Sequence, residues 1–211
     1  MFGMFKKKLQ WPQLSIQEIR KRARILVIDD SEFVYQSLFE NDGYNIDKWD
    51  DVNDLPKLES GFYDIIFLDI QGVGLKISKE QGLGILKHIR KVCPTQIIIA
   101  YSNADFSLRY QDFFSLANAT LPKSDDYVQF KRKLDELLLA KFSLGFYVEH
   151  VADIATKHTN DVTKLRTLTK TAILTGETNK LASFLKQRID NKDAIMAILQ
   201  IVQIGIGVAA L

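Results

Sequence analysis

Residues 25–30 of the chain read Ile-Leu-Val-Ile-Asp-Asp. Four consecutive apolar residues, with no polar position between them, are typical of a strand buried on both faces of a parallel sheet. The pattern recurs at Ile65-Ile66-Phe67-Leu68, which ends in Asp69, and at Ile97-Ile98-Ile99-Ala100, which leads to Ser102. The three runs therefore predict buried parallel strands that carry polar residues at their carboxyl ends.

Segments with helical spacing separate these runs. Leu83, Leu86 and Ile89 repeat every three residues between the second and the third run, as on one face of a helix. The other expected elements are a helix over about 126–141, weaker strands at 44–49 and 119–121, and a short helix near 53–58. Strand and helix alternate five times, which predicts an α/β fold over residues 24–142 with a doubly wound, five-stranded parallel sheet.

The net charge of +2 over 211 residues conceals a strong segregation. Residues 1–24 carry a net charge of +6, residues 25–128 of −8 and residues 129–211 of +4. An acidic middle between two basic ends indicates at least two parts with different partners. We expect a basic lead-in segment at 1–23, a domain at 24–142 and a helical region at 143–211.

The lead-in segment has two interpretations. It combines Lys6-Lys7-Lys8 with the aromatic residues Phe2, Phe5 and Trp11. Basic and aromatic side chains together suit a membrane surface with acidic lipid. The alternative is a solvated start that docks a few aromatic side chains on the folded protein.

Composition excludes several classes of protein. A hydrophobic fraction of 46% with 11 Gly and 4 Pro excludes a largely disordered or collagen-like chain. The single cysteine, Cys93, cannot form an internal disulfide, and the first residues lack the apolar run of a secretory signal. We therefore expect a reducing, cytoplasmic location.

Residues 143–211 show helical patterns and no strand pattern. Ala194 to Leu211 form an 18-residue stretch without charge, which is at the lower limit for a membrane-spanning helix. The same composition suits a helix buried in a small bundle or one that associates with itself in a homo-oligomer. Both interpretations stay open, so the predicted location is cytoplasmic with membrane association as an alternative.

A helix-turn-helix over Val162–Arg188 is a further alternative for this region. Lys180, Lys186 and Arg188 would lie on its second helix. The apolar positions fit such a motif only partly, and basic residues on a helix more often form a solvated face. Nucleic acid is therefore the less favoured partner.

Polar residues follow the strands where ligands bind in parallel α/β sheets, beyond the carboxyl ends. They are Asp29 and Asp30 after the first strand, Asp69 after the third, Ser102 after the fourth and Lys123 after the fifth. Three crowded carboxylates repel one another unless a cation lies among them, and oxygen ligands suit Mg²⁺. With an amine and a hydroxyl, the set could hold a phosphoryl group. Alone, the Asp29-Asp30 pair could equally cap a helix.

At these residues the sequence resembles the receiver domains of response regulators in two-component signalling, over roughly Ile25 to Lys141. Five motifs in the right order carry the resemblance: Ile-Leu-Val-Ile-Asp29-Asp30-Ser31, Asp64-Ile-Ile-Phe-Leu-Asp69-Ile70, Gly82-Leu-Gly-Ile-Leu-Lys, Ile97-Ile-Ile-Ala-Tyr-Ser102-Asn103-Ala104 and Ala119-Thr-Leu-Pro-Lys123. The resemblance implies a flavodoxin-like fold and a phosphorylation-dependent switch that is not an enzyme.

The resemblance also implies residue roles. Asp69 would accept a phosphoryl group from a histidine kinase or a phosphotransfer protein. Asp30 would bind Mg²⁺ directly, Asp29 mainly through water, and the carbonyl of Gln71 would be a further ligand. Ser102 and Lys123 would contact the phosphoryl oxygens. The helical region would be the output through protein–protein contacts, and a degenerate receiver that serves as a scaffold is the alternative.

The chain departs from the family pattern at three places. Pro122 precedes Lys123 and Ser124 follows it, whereas the family commonly has a Lys-Pro pair. Thr120 stands where the family often has an aromatic residue, and the loop at 71–80 is about five residues longer than usual. These departures leave the five chemical groups in place but predict a different readout of phosphorylation.

Overall fold

The computed structural model describes residues 10–103 and 111–211. Phe2, Phe5, Lys6-Lys7-Lys8 of the expected lead-in and Ala104 of the fourth motif lie outside the described residues. The described chain divides into two compact units. We call residues 14–141 the α/β unit, and residues 142–211 together with residues 10–13 the helical unit.

The α/β unit alternates helices and strands along the chain. Its elements are α1 (Ile16–Arg22), β1 (Arg24–Ile28), α2 (Gln36–Asn41), β2 (Asn45–Trp49), α3 (Leu55–Glu59), β3 (Ile65–Leu68), α4 (Gly82–Val92), β4 (Ile97–Ser102), α5 (Gln111–Leu116), β5 (Ala119–Pro122) and α6 (Tyr127–Lys141). Short apolar runs with many β-branched residues form the strands, as their composition favours.

The five strands form one parallel sheet in the order β2-β1-β3-β4-β5. This is the flavodoxin-like order, in which the direction of winding reverses between β1 and β3. In the register of the sheet, Ile28 at the end of β1 pairs with Leu68 of β3 on one side and with Trp49 of β2 on the other. The predicted fold class, a doubly wound five-stranded parallel sheet followed by a helical region, is confirmed.

The central strands are buried on both faces, as their unbroken apolar runs predict. On one face, residues of β1, β3 and β4 pack with α4, α3 and Phe113 of α5. On the other face lie four buried aromatic rings, which we call the aromatic cluster: Phe33, Phe67, Tyr101 and Phe130. Their centroids lie 5.6–6.4 Å apart, mostly at steep or tilted angles, and this geometry stabilises aromatic pairs beyond the area they bury.

The short helix α1 belongs to the α/β unit, although its residues fall in the expected lead-in segment. Ser15 and Glu18 form a reciprocal capping box that starts the helix. At its other end the Arg20 guanidinium pairs with both carboxylate oxygens of Asp135 in α6, and the Tyr44 hydroxyl donates to the same carboxylate at 2.6 Å. The Arg20 guanidinium also lies 4.8 Å from the centre of the Tyr44 ring. These contacts attach α1 to α6 and to the start of β2.

The helical unit contains α7 (Leu144–Ala155), α8 (Val162–Thr175), α9 (Asn179–Arg188) and α10 (Lys192–Ala209). Gly176 ends α8 in the left-handed conformation, which glycine adopts at little steric cost. The helices share one apolar core, to which Trp11 adds its ring, with the Trp11 Nε1–H donating to the Phe142 carbonyl at 2.9 Å.

The uncharged stretch of the sequence forms α10. Among the described residues, it is the one helix that length and composition would allow to cross a membrane. One side of α10 is buried among the other helices of its unit, through Ala194, Ile198, Ile201, Val202, Gly205 and Ala209. A Cβ on Gly205 would come within 2.9 Å of Ile173 Cδ1 in α8, so α8 and α10 approach closely there. A bundle core therefore accounts for much of the apolar composition of α10, and membrane contact stays a prediction.

The N-cap of α10 provides a test of the helical unit. Asn191 Oδ1 accepts a hydrogen bond from the Ala194 N–H at 2.9 Å. We expect Asn191→Ala to lower the free energy of unfolding of this unit by about 1 kcal/mol, since a first-turn N–H loses its partner. The measurement is urea unfolding followed by Trp11 fluorescence in a Trp49→Phe background. Asn179→Ala, at the exposed first residue of α9, is the control, and an equal loss in both variants would contradict the role of Asn191.

Candidate functional site

The ends of β1 and β3 bring two carboxylates to one edge of the sheet. The Asp29 N–H donates to the Trp49 carbonyl at 3.1 Å, and the Asp69 N–H donates to the Ile28 carbonyl at 3.0 Å. These backbone bonds continue the pairing of the strands by one residue beyond their ends. Asp29 and Asp69 are consequently fixed side by side at the carboxyl edge, next to the point where the winding reverses.

Asp30 completes a cluster of three carboxylates. One carboxylate oxygen from each of Asp29, Asp30 and Asp69 lies within 4.8 Å of the other two. Asp29 is completely buried and Asp69 is 5% exposed, whereas Asp30 is exposed. Two buried carboxylates at this distance repel strongly in a medium of low dielectric constant unless a cation compensates them.

Lys123 supplies a compensating charge. Its Nζ lies 2.7 Å from Asp29 Oδ2 and 2.6 Å from Asp69 Oδ2. Burial acts to lower the pKa of Lys123, but the neighbouring Asp29 and Asp69 carboxylates outweigh it, and the pKa is raised above its ordinary value. The amine is therefore fully protonated at neutral pH.

Backbone amides orient the carboxylates. Asp69 Oδ1 accepts from the Ile70 N–H at 2.7 Å and, more weakly, from the Gln71 N–H at 3.4 Å. Asp29 Oδ1 accepts from the Ser31 N–H at 2.9 Å. The helix α2 begins at Gln36, and its N-cap is Tyr35, so Asp29 and Asp30 do not cap it. The interpretation of this pair as a helix cap is wrong.

The site has features that fit a divalent cation. Asp29 Oδ2 is buried, and its partner is the Lys123 ammonium at 2.7 Å. A Cβ on Gly72, which has a φ of +79°, would lie 2.1 Å from Asp30 Oδ2, so the loop backbone passes directly over that carboxylate. A buried carboxylate oxygen, two neighbouring carboxylates and a close backbone loop form the kind of oxygen-rich setting that Mg²⁺ binds in proteins.

Ser102 and Lys123 are brought to the same edge by the pairing of β4 with β5. Ser102 is the last residue of β4, is 6% exposed and pairs in register with Pro122. The Lys123 N–H donates to the Ser102 carbonyl at 3.3 Å. Gln71 lies in the loop after β3, two residues after Asp69. All the residues that we predicted for the site thus lie at the carboxyl edge of the sheet or in its first loop residues.

The long loop after β3 is anchored at several points. The Gly72 N–H donates to Gln81 Oε1 at 3.0 Å, and the Gly74 N–H donates to Asp51 Oδ1. Gln81 itself has a φ of +56°, which is uncommon for a residue other than glycine. The side chains of Leu75 and Ile77 are exposed on this loop. The extra length therefore forms a tethered surface segment beside the carboxylates.

Sequence reasoning missed one residue of the site, Tyr101. The centre of its ring lies 5.1 Å from Lys123 Nζ, and the side chain is buried. Burial raises the pKa of the Tyr101 hydroxyl, and the Asp29 and Asp69 charges raise it further, so the phenol is neutral at neutral pH. The signal in the sequence was an aromatic residue directly before Ser102.

No family model and no curated protein matches the sequence. Solved structures are similar to a little over half of the chain. A CheY-like receiver domain protein from Methanospirillum hungatei is 23% identical, covers 56% of this chain and 95% of its own, and gives a TM-score of 0.48. The response regulator TrrA of Thermotoga maritima, solved with Mg²⁺ and BeF, is 28% identical over 55% of this chain and 98% of its own, with a TM-score of 0.45. The chemotaxis protein CheY4 of Vibrio cholerae is 19% identical, covers 55% of this chain and 98% of its own, and gives a TM-score of 0.44. By its strand order, the α/β unit has the doubly wound flavodoxin-like fold, and this part of the chain is similar to response-regulator receiver domains.

Proposed function

We propose that the protein is a phosphorylation-dependent signalling switch that accepts a phosphoryl group on Asp69. The observation that carries this proposal is the position of the Lys123 ammonium, at 2.7 and 2.6 Å from oxygens of the buried Asp29 and Asp69, beside the exposed Asp30. A nucleophilic carboxylate, a fixed amine and acidic metal ligands are the groups that phosphoryl transfer to a carboxylate requires.

The proposed reaction is a displacement at phosphorus. A carboxylate oxygen of Asp69 forms a bond to the phosphorus atom, and the bond from phosphorus to the donor's leaving group breaks. That group is the imidazole nitrogen of a phosphohistidine, or the carboxylate of a small acyl phosphate, and it departs with the bonding electron pair. The product is a mixed anhydride on Asp69, which water can later hydrolyse to regenerate the carboxylate and release inorganic phosphate.

The chain's own residues have distinct parts in this reaction. Asp29, Asp30, Asp69 and the carbonyl of Gln71 would hold Mg²⁺, which supplies positive charge to phosphoryl oxygens when bound. The Ile70 and Gln71 amides hold Asp69 Oδ1 in a fixed orientation, so the carboxylate does not need to be ordered at the moment of attack. Lys123 and Ser102 would pair with the oxygens of the transferred group.

Phosphorylation would change the electrostatics of the site. The phosphoryl group carries about two negative charges at pH 7, and the bond to Asp69 removes the single charge of its carboxylate, so the site gains about one negative charge. The Lys123 ammonium then has a new anionic partner in competition with Asp29, and its displacement is the local event that a switch could transmit.

We further propose that the helical unit is the output and acts through protein–protein contacts, with a histidine kinase or a phosphotransfer protein as the phosphoryl source. The helical unit has its own apolar core, so it can act as a separate module. Light scattering with and without phosphodonor would measure a change in oligomeric state, and sedimentation with anionic lipid vesicles would measure membrane association. Deleting α10 is not a clean test of either, because one side of that helix belongs to the core.

The proposal is tested by incubating the full chain with acetyl phosphate. We expect intact-mass spectrometry to find one added phosphoryl group per chain in the presence of Mg²⁺ and none in excess chelator. Hydroxylamine should remove the group, because it attacks the carbonyl carbon of an acyl phosphate. Phosphoryl uptake that is unchanged by the chelator would contradict the phosphoacceptor role, and so would the absence of uptake with Mg²⁺. The second result would favour the degenerate receiver that serves as a scaffold.

A further inference from the structure

The position of the Lys123 amine depends on more than its two carboxylate partners. The ring of Tyr101 forms a third side of the amine's surroundings, with 5.1 Å between the ring centre and Nζ. The Lys123 side chain is only 13% exposed, so few water molecules compete for the ammonium. A cation over an aromatic face gains more stabilisation when it is desolvated in this way.

The Tyr101 ring is itself held rigidly by the aromatic cluster. It meets Phe33 at 85° and 5.7 Å, and Phe130 at 83° and 5.6 Å. A third edge-to-face contact joins it to Phe67 at 6.1 Å. Because three rings surround it, Tyr101 cannot change its orientation without moving side chains from α6 and from the segment before α2.

We infer that Tyr101 is a positioning residue that holds the Lys123 ammonium between Asp29 and Asp69. This inference rests on the proposed function, since it assigns to Tyr101 the placement of the amine that meets the phosphoryl group. The aromatic face acts, rather than the hydroxyl. Phenylalanine can therefore replace Tyr101, but an aliphatic residue cannot.

The inference also connects the site to α6 through ring contacts. When a phosphoryl group on Asp69 draws the Lys123 ammonium away from Asp29, the contact between the ammonium and the Tyr101 ring changes. Tyr101 passes that change to Phe130, which lies within α6, the last helix of the α/β unit. The aromatic cluster is the physical path by which the amine's position reaches this helix.

The test compares Tyr101→Phe, Tyr101→Leu and Phe113→Leu in the full chain. Phe113→Leu is the matched control, because it removes a buried ring from the opposite face of the sheet, outside the aromatic cluster. The first readout is the proton–carbon NMR spectrum of chains labelled at the lysine ε-carbon, with the Lys123 signal assigned by its loss in Lys123→Arg. The ring current of Tyr101 should displace this signal upfield of the position of a solvated lysine in the wild type, in Tyr101→Phe and in Phe113→Leu, but not in Tyr101→Leu.

The second readout is the rate of phosphoryl uptake from acetyl phosphate with Mg²⁺. We expect Tyr101→Leu to be about fivefold slower than the wild type and Tyr101→Phe to be nearly unchanged. An undisplaced Lys123 signal in the wild type, or a signal that persists in Tyr101→Leu, would overturn the inference. So would an equal slowing in Phe113→Leu, which would trace the effect to a loosened core. If the wild type takes up no phosphate, the proposed function fails, while the NMR comparison still decides whether the ring holds the amine.

Discussion

Asp69→Asn is expected to take up no phosphoryl group from acetyl phosphate and Mg²⁺, under conditions in which the wild type is modified to near completion. The substitution replaces a charged nucleophilic oxygen by a neutral amide of almost the same shape. The amide oxygen can still accept from the Ile70 N–H, so the backbone geometry should survive. What is lost is the nucleophile and one of the three charges that would hold the cation.

The measurement is intact-mass spectrometry, with Asp47→Asn as a matched control. Asp47 is an exposed residue of β2 that accepts a hydrogen bond from the Tyr63 hydroxyl at 2.8 Å, and an asparagine can still accept it. The control makes the same change of charge away from the site and should be phosphorylated normally. Equal uptake by Asp69→Asn and the wild type would show that another residue accepts the group.

Lys123→Met should lower the free energy of unfolding of the α/β unit by about 3 kcal/mol. The substitution keeps much of the side chain's volume but leaves the buried Asp29 and Asp69 carboxylates without their ammonium partner, and an uncompensated buried charge is costly. Millimolar Mg²⁺ should restore part of the loss, because a divalent cation among the carboxylates replaces the missing charge. The gain in stability on adding Mg²⁺ should therefore be larger in Lys123→Met than in the wild type.

This loss is measured by urea unfolding with Trp49 fluorescence in a Trp11→Phe background, so that the signal reports the α/β unit. Lys133→Met, which removes a partly exposed lysine paired with Glu136, is the control and should cost less than about 1 kcal/mol. The pKa of Lys123 is raised on folding, so its contribution is fully present below the unfolded pKa and is lost as pH rises through the folded pKa. The difference between wild type and Lys123→Met should accordingly shrink at alkaline pH. A variant as stable as the wild type at pH 7 would refute the compensating role of the amine.

The strands and the edge of the site could be predicted from the sequence because they depend on local patterns. The apolar runs at 25–28, 65–68 and 97–100 are buried on both faces, and each leads to the polar residues expected after it. Parallel strands place their carboxyl ends at one edge whatever the details of packing. The placement of Asp29, Asp69 and Lys123 at the same edge therefore follows from the parallel sheet.

Tertiary contacts were harder to predict. The capping box of Ser15 and Glu18 is a local sequence pattern typical of a helix start. The attachment of α1 to α6, however, depends on Arg20 and Asp135, which are far apart in sequence. The role of Tyr101 depends on the ring's rotamer and on the reach of Lys123, which a strand pattern does not encode. Burial of one side of α10 likewise could not be separated from membrane insertion by composition, since both environments favour the same residues.

Trp11 gives the helical unit a constraint that matters for engineering. Its ring stacks obliquely on Tyr147 at 5.9 Å, and its indole bonds to a carbonyl 131 positions further along the chain. A fusion protein that carries only residues 142–211 would lack this ring and leave exposed the part of the apolar core on which it packs. An isolated helical unit would therefore need to include the segment that contains Trp11, joined to residue 142 by a synthetic linker.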